Sequence, residues 1–260
     1  MSAQKTSSRL KICAAVCKKP YLAASLLPTL PVPRAKPYME QGNPLFGAIY
    51  NTYTKRVVDI LCASILLVFF APIMIAVAMA IKFDSKGPVF ADTPSRVGNG
   101  GRRFKMYKFR SMVENAHRML REDPQFKQLY EEYKRSSYKL QHDPRITRVG
   151  KFIRKHSLDE IPQLMNVLRG EMSIVGPRAY YPDEIQEQLR KYPQAKQFVR
   201  EALLVRPGIT GYWQVFGRSE VHFGQRIKMD ALYVQNVSLW YDIRIMLLTP
   251  KAMITGKGAV

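Results

Sequence analysis

The chain has 260 residues, of which 47% are hydrophobic and 23% charged, a balance that excludes a wholly disordered or collagen-like protein. Its 41 Lys and Arg against 20 Asp and Glu leave a net charge of +21. An excess of that size points to an anionic partner: a phosphorylated substrate, an acidic membrane surface or a nucleic acid. Three cysteines (Cys13, Cys17 and Cys62) cannot build a disulfide framework and fit a reducing compartment.

In chain order, residues 1–44 hold six prolines and seven basic residues. This tract reads as a flexible basic tail able to rest on anionic headgroups. Residues 45–86 form a membrane-inserted segment, because residues 60–81 carry no charge. As a straight helix they would measure about 33 Å, enough to cross a bilayer core. Two features argue for entry without crossing. Pro72 lies near the middle of the run, where it removes an N–H and bends the helix. Lys55 and Arg56 precede the run and Lys82 and Lys86 follow it, so both flanks carry the positive charge that favours the cytoplasm. A helical hairpin returning to one face satisfies both features. A kinked spanning helix, which also tolerates proline, remains open.

Residues 87–260 read as one soluble domain. The runs 88–90 and 104–109 flank Gly98-Asn99-Gly100-Gly101, which predicts a β-hairpin. From about residue 112 to 140 a charged, helix-favouring stretch predicts an exposed helical excursion. Residues 145–170 then gather Arg145, Arg148, Lys151, Arg154, Lys155 and Arg169 around one acidic pair, Asp159-Glu160. The plain structural reading is a capping box, with Ser157 and Glu160 opening the helix that carries Ile161, Leu164, Met165 and Leu168. The same position suits chemistry. A first-turn Asp is expected to be held ionised by free N–H groups and the helix dipole, and an ionised Asp among arginines can attack a phosphoanhydride. A neighbouring carboxylate can help hold Mg²⁺, which keeps few protein ligands and takes substrate phosphates for the rest. Gly176-Pro177-Arg178 and Arg206-Pro207-Gly208 read as turns that stiffen an arginine suited to phosphate. Trp213, Trp240 and Tyr241 fit either a membrane interface or the core. The four histidines lack zinc-ligand spacing, and no nucleic-acid recognition motif accompanies the charge.

Several motifs then occur in one order: Lys55-Arg56-x-x-Asp59, the Pro72-interrupted run, Tyr107-Lys108-Phe109-Arg110-Ser111-Met112, Asp143-Pro144-Arg145, Ser157-Leu158-Asp159-Glu160-Ile161-Pro162-Gln163-Leu164, Val175-Gly176-Pro177-Arg178 and Arg206-Pro207-Gly208-Ile209-Thr210-Gly211. Together they resemble the bacterial sugar transferases, the monotopic phosphoglycosyl transferases, from about residue 55 to 249. The excursion and Ser238-Leu239-Trp240-Tyr241-Asp242 resemble those that initiate exopolysaccharide, capsule or O-antigen synthesis. The resemblance implies an α+β, mainly helical fold with a re-entrant membrane helix and a cytoplasmic catalytic domain at the inner membrane. It implies transfer of a sugar 1-phosphate from a UDP-sugar to undecaprenyl phosphate with release of UMP, possible homo-oligomers and no nucleic-acid partner. By motif, Asp159 is the expected nucleophile and Glu160 its partner, with Mg²⁺ held by both. Arg154, Arg178, Arg206 and Arg110 are the expected phosphate contacts, and Lys55, Arg56 and Pro72 set the hairpin. The sequence departs from the family pattern at Thr93-Pro94-Ser95-Arg96-Val97-Gly98, where the family has Gln-x-Arg-x-Gly, at Glu171 and at Ala179. A catalytically inactive membrane scaffold for polysaccharide assembly is the alternative reading.

Overall fold

The computed structural model describes residues 50–135, 140, 143–217 and 222–254. The basic tail, with Cys13 and Cys17, lies outside them.

The apolar run forms helix α1, Lys55–Asp84, which follows a single π-helical turn at Tyr50–Thr54. It is one 30-residue helix with Pro72 inside it, so the proline leaves the helical run continuous. The reason is physical. Proline's fixed φ is close to the helical value, and in an apolar surrounding every other backbone bond is worth keeping. Helix α1 ends where Ser85 turns extended and Gly87 adopts φ 117°, a conformation that a side chain disfavours. Along one face Val57, Leu61, Ile65, Val68, Phe69, Ile75, Met79 and Phe83 are exposed, with spacings of three, four and seven that mark a helical stripe. The opposite face is seated on the domain at both ends.

After α1 comes the hairpin, built from shorter strands than the sequence suggests. Strand β1 (Arg96–Val97) pairs antiparallel with β2 (Arg103–Phe104) around a tight turn at Asn99–Gly101. The two flanking runs pair through a separate bridge, Phe90 with Phe109. The excursion is helical as expected: α2 is Ala116–Glu122 and α3 is Lys127–Arg135. Arg145 fixes its start, donating to the Ala116 carbonyl at 2.8 Å while gripping Asp143 with two nitrogens at 2.8 and 2.6 Å.

Helix α4, Arg148–Lys155, is capped by the Thr147 side chain on the Gly150 N–H. Helix α5, Gln163–Leu168, leads into β3, Ser173–Val175. Strand β3 pairs in parallel with β4, Gly208–Thr210, an element the sequence reading took for turns. The crossover between them carries α6 (Pro182–Lys191) and α7 (Lys196–Ala202). Glycine is required at the crossing. A Cβ on Gly208 would lie 2.1 Å from the Gly176 nitrogen, and one on Gly211 would lie 2.2 Å from the Gly176 oxygen. Helices α8 (Tyr212–Phe216), α9 (Phe223–Gln235) and α10 (Leu239–Ile254) complete the described chain.

The main core gathers Val167, Met172, Val175, Tyr233 and Ile245. The front of α1 joins it through Cys62, Leu66 and Leu67. The rear of α1 belongs to a second cluster, in which Val77 and Ile81 meet Phe109 and Ile153. Polar contacts secure the front end as well. Lys55 Nζ lies 2.6 Å from Asp242 Oδ2, Arg56 donates to the Val167 and Leu168 carbonyls, and Asp59 accepts from Ser173 and Ile174.

Candidate active site

Asp159 and Glu160 occupy a one-turn 3₁₀ segment, Leu158–Glu160, between α4 and α5. No capping box forms there. Ser157 sits in the left-handed region at φ 55° without a side-chain cap, and the following helix opens only after Pro162. Pro162 cannot donate, so the turn stays separate from α5. Leu158 packs into the rear cluster and Ile161 into the main core, while Phe109 N–H donates to the Asp159 carbonyl at 3.0 Å. The turn is held from three sides and its two carboxylates face one cavity.

Lys108 answers them from the residue before Phe109, which bridges to Phe90. Its ammonium lies 2.6 Å from Glu160 Oε1 and 3.9 Å from Asp159 Oδ2. The two acids are driven apart. Burial, outweighing Lys108 and reinforced by the charge of Glu160, pushes the Asp159 carboxyl up to about 6. The carboxyl therefore holds its proton more tightly than a free one, while its ionised form still predominates near pH 7. Burial also works against Glu160, but Lys108, Arg178 and Arg96 together hold it below the usual carboxylate range. Neighbouring acids with separated protonation behaviour are a feature of reactive sites.

The cavity measures about 1310 Å³, large beside ordinary small-molecule sites. It reaches Cys62, Ile65, Leu66 and Phe70 of α1, a helix long and apolar enough to cross a membrane. Around the carboxylates it is cationic, since Lys108, Arg96, Arg154 and Arg178 all act on the pair. Four cations against two acids suit a polyanion.

The expected phosphate contacts separate into two groups. Arg154 and Arg178 line the cavity. The Arg178 guanidinium stands 5.0 Å over Trp213, and its buried Nε has no hydrogen-bond partner among the described residues. Arg110 also lines the cavity, but its guanidinium is taken up by the Lys86 and Ser85 carbonyls, where it secures the end of α1. Arg206 gives its Nε to the Gly170 carbonyl, outside the residues lining the cavity. Trp213 is buried and Trp240 is exposed, so only the latter remains available to a membrane interface.

Sequence reasoning missed Lys108, Arg96 and Asp230. Lys108 alternates with the buried Phe109 on a strand-like run, a signal that could have placed it on the cavity side. Asp230 left no such signal. It is fully buried on α9, accepting from the Tyr180 hydroxyl at 2.8 Å and the Arg178 N–H at 3.2 Å, and burial pushes its carboxyl up to about 7.

Among the described residues no three His, Cys, Asp or Glu side chains converge on one point. A caged metal is therefore not built here. Two carboxylates beside a phosphate-sized space do meet the modest demand of Mg²⁺, which takes oxygen ligands and completes its shell with water and phosphate.

The bacterial sugar transferase profile matches residues 50–256. The chain belongs to that family. It is 44% identical over 209 residues to the exopolysaccharide production protein ExoY of Sinorhizobium fredii, covering 79% of this chain and 88% of the relative. It is 41% identical over 213 residues to the undecaprenyl-phosphate galactose phosphotransferase of Salmonella typhimurium, covering 80% of this chain and 42% of the relative. An uncharacterized sugar transferase of Haemophilus influenzae is 39% identical over 223 residues, 84% of this chain and 45% of that protein. The chain thus spans most of ExoY and less than half of the other two. All the elements around the cavity fall within the family match.

Proposed function

We propose that this sugar transferase moves a sugar 1-phosphate from a UDP-sugar to undecaprenyl phosphate, releasing UMP, as the first step of exopolysaccharide, capsule or O-antigen assembly. The observation that carries the reading is the Asp159–Glu160 pair in a cationic cavity that extends to the membrane helix. Relatives bear names of this activity, including a UDP-galactose-lipid carrier transferase of Erwinia amylovora.

An Asp159 oxygen attacks the sugar-bearing β-phosphorus. The bond from that phosphorus to the bridging oxygen breaks, and UMP leaves with the electron pair. An oxygen of undecaprenyl phosphate then attacks the same phosphorus, displaces the Asp159 carboxylate and yields the lipid diphosphosugar. Burial keeps water from the acyl phosphate between the two steps. The raised proton affinity of Asp159 also makes its ionised form a stronger nucleophile near neutral pH. Lys108 holds Glu160 and faces Asp159, while Arg178 and Arg154 orient phosphate oxygens. Asp159 and Glu160 would hold Mg²⁺, which would supply neutralisation of diphosphate charge.

The seating of α1 supports the membrane placement in this reading. Its front end binds Asp242 and Ser173, and its rear end packs on Ile153 and Phe109. A helix crossing a hydrocarbon core of about 30 Å would put those ends on opposite faces. Both ends on one domain support a helix that enters one leaflet and returns, bent where Pro72 removes a hydrogen bond. The exposed stripe from Val57 to Phe83 then faces lipid, and the catalytic domain lies on the cytoplasmic side of the inner membrane, where the basic flanks favour it.

The test is nucleotide release from membranes given undecaprenyl phosphate and a panel of UDP-sugars. UMP accompanied by lipid diphosphosugar is expected. UDP would mean ordinary glycosyl transfer, and neither nucleotide would support an inactive scaffold.

A further inference from the structure

Arg96 stands on β1 at a junction. Its charge acts on Glu160 and Lys108 on one side and on His117 and Tyr133 on the other. All of these except the shared β1 backbone lie around the same cavity. The guanidinium is fixed in place, lying 3.3 Å over the Tyr181 ring with Nη1 donating to the Ala179 carbonyl at 3.0 Å. Its Nε is buried and has no hydrogen-bond partner among the described residues. A buried donor left unmatched is costly and rare, so an acceptor from a ligand is the natural complement. Arg178 repeats this design on Trp213, again with an unmatched Nε. Two fixed forks beside one carboxylate pair match the two phosphates of a diphosphate.

The space behind Arg96 has a different character. His117 meets Tyr181 edge to face at 6.0 Å, and the Tyr133 and Tyr181 hydroxyls are hydrogen-bonded to each other. Burial and the nearby Arg121, Arg145 and Arg96 push His117 down to about 4, so the imidazole is neutral, and its buried Nδ1 has no partner among the described residues. A neutral, aromatic wall with an unmatched ring nitrogen suits an uncharged planar heterocycle better than another anion. The wall is held in place, because Arg145 ties the start of α2 and Arg121 reaches Asp183 on α6 at 2.7 Å.

We propose that Arg96 anchors the phosphate of the leaving nucleoside monophosphate, and that the compartment between Arg96, His117 and Tyr181 receives its nucleoside. The assignment rests on the reading that UMP is the leaving group. It gives the helical excursion, through His117 and Tyr133, a part in donor recognition.

The experiment measures UMP binding to the purified full-length protein in lipid nanodiscs by calorimetry, with no turnover required. Wild type should bind UMP. Arg96→Gln should weaken binding about ten- to a hundredfold, the loss expected for a charge-assisted hydrogen bond, and uridine binding should change little. His117→Ala should weaken UMP and uridine alike. In turnover, both variants should raise KM for the donor and leave KM for undecaprenyl phosphate unchanged. If Arg96→Gln does not fold, Arg96→Lys takes its place, since lysine keeps the charge but loses the fork and should also weaken UMP. UMP binding unchanged in a folded Arg96 variant would overturn the proposal. Wild type that releases UMP in turnover but does not bind it in this compartment, His117→Ala being without effect, would also overturn it while leaving the transferase reading intact.

Discussion

Two of the lysine–carboxylate groups in this molecule do opposite things. Lys55 and Asp242 form a closed pair: the Asp242 oxygens also accept from the Tyr50 hydroxyl at 2.8 Å and the Tyr233 hydroxyl at 2.7 Å, and both side chains are nearly inaccessible. Lys108 faces two acids across an open cavity and satisfies them unequally, Glu160 at 2.6 Å and Asp159 at 3.9 Å. The closed group joins the membrane helix to α10. The open one leaves a carboxylate available to a ligand. The same chemical pair is structural where donors saturate the acid and reactive where they do not.

The sharpest way to break that contrast is to neutralise the open acid. Asp159→Asn should lower turnover by at least about three orders of magnitude, roughly 4 kcal/mol of barrier, because the amide keeps the shape and loses the attacking charge. Stability should move the other way. The native state holds the Asp159 proton more tightly than the unfolded chain, since its carboxyl is raised from 3.8 to about 6. Its charge therefore lowers stability above about pH 6, and that effect fades as pH falls toward 4. Asp159→Asn should thus unfold later at pH 7, by up to about 3 kcal/mol, checked by thermal melting. Activity retained within about tenfold would end the assignment.

The closed pair should respond only through stability. Asp242→Asn leaves the Lys55 charge buried, at a cost of about 3–5 kcal/mol. Lowered thermal stability is expected, with kcat preserved in the fraction that remains folded. A variant as stable as wild type but slow would place Asp242 in the chemistry instead.

The smallest effect expected is a shift in pH dependence. Wild-type kcat/KM should fall about tenfold per pH unit below about 6 as Asp159 takes up its proton. Lys108→Met removes a cation that opposes this, so the acid limb should move to higher pH. A limb that does not move would show that Lys108 does not act on Asp159.

Much of this was legible in the sequence. The apolar run, the Asn-Gly turn and the helical excursion rest on local patterns, and each appears about where its pattern puts it. What escaped is non-local. The parallel pairing of β3 with β4 joins segments 35 residues apart, as Ser173 meets Gly208, and its Gly-Pro and Pro-Gly neighbours look like turns because glycine also serves close backbone approach. Arg110 and Arg206 fit phosphate by residue type, yet the carbonyls of Ser85, Lys86 and Gly170 hold them, and no spacing rule reveals which oxygen an arginine meets. Ser157 satisfied the capping pattern, but Pro162 separates its turn from the helix. Asp59 and Asp242 stand in the quoted motifs with no partner assigned, although an acid beside an apolar segment, as Asp59 is, signals that a partner must exist.

The central claim is that Asp159 becomes covalently bound to the phosphosugar. Full-length protein given donor labelled in its β-phosphate, without undecaprenyl phosphate, should be quenched within milliseconds and digested. The account predicts label on the peptide containing Asp159, released as lipid diphosphosugar when the acceptor is added, and none on Asp159→Asn. Wild type that turns over with acceptor present but never carries label, with sequential rather than ping-pong kinetics, would contradict it.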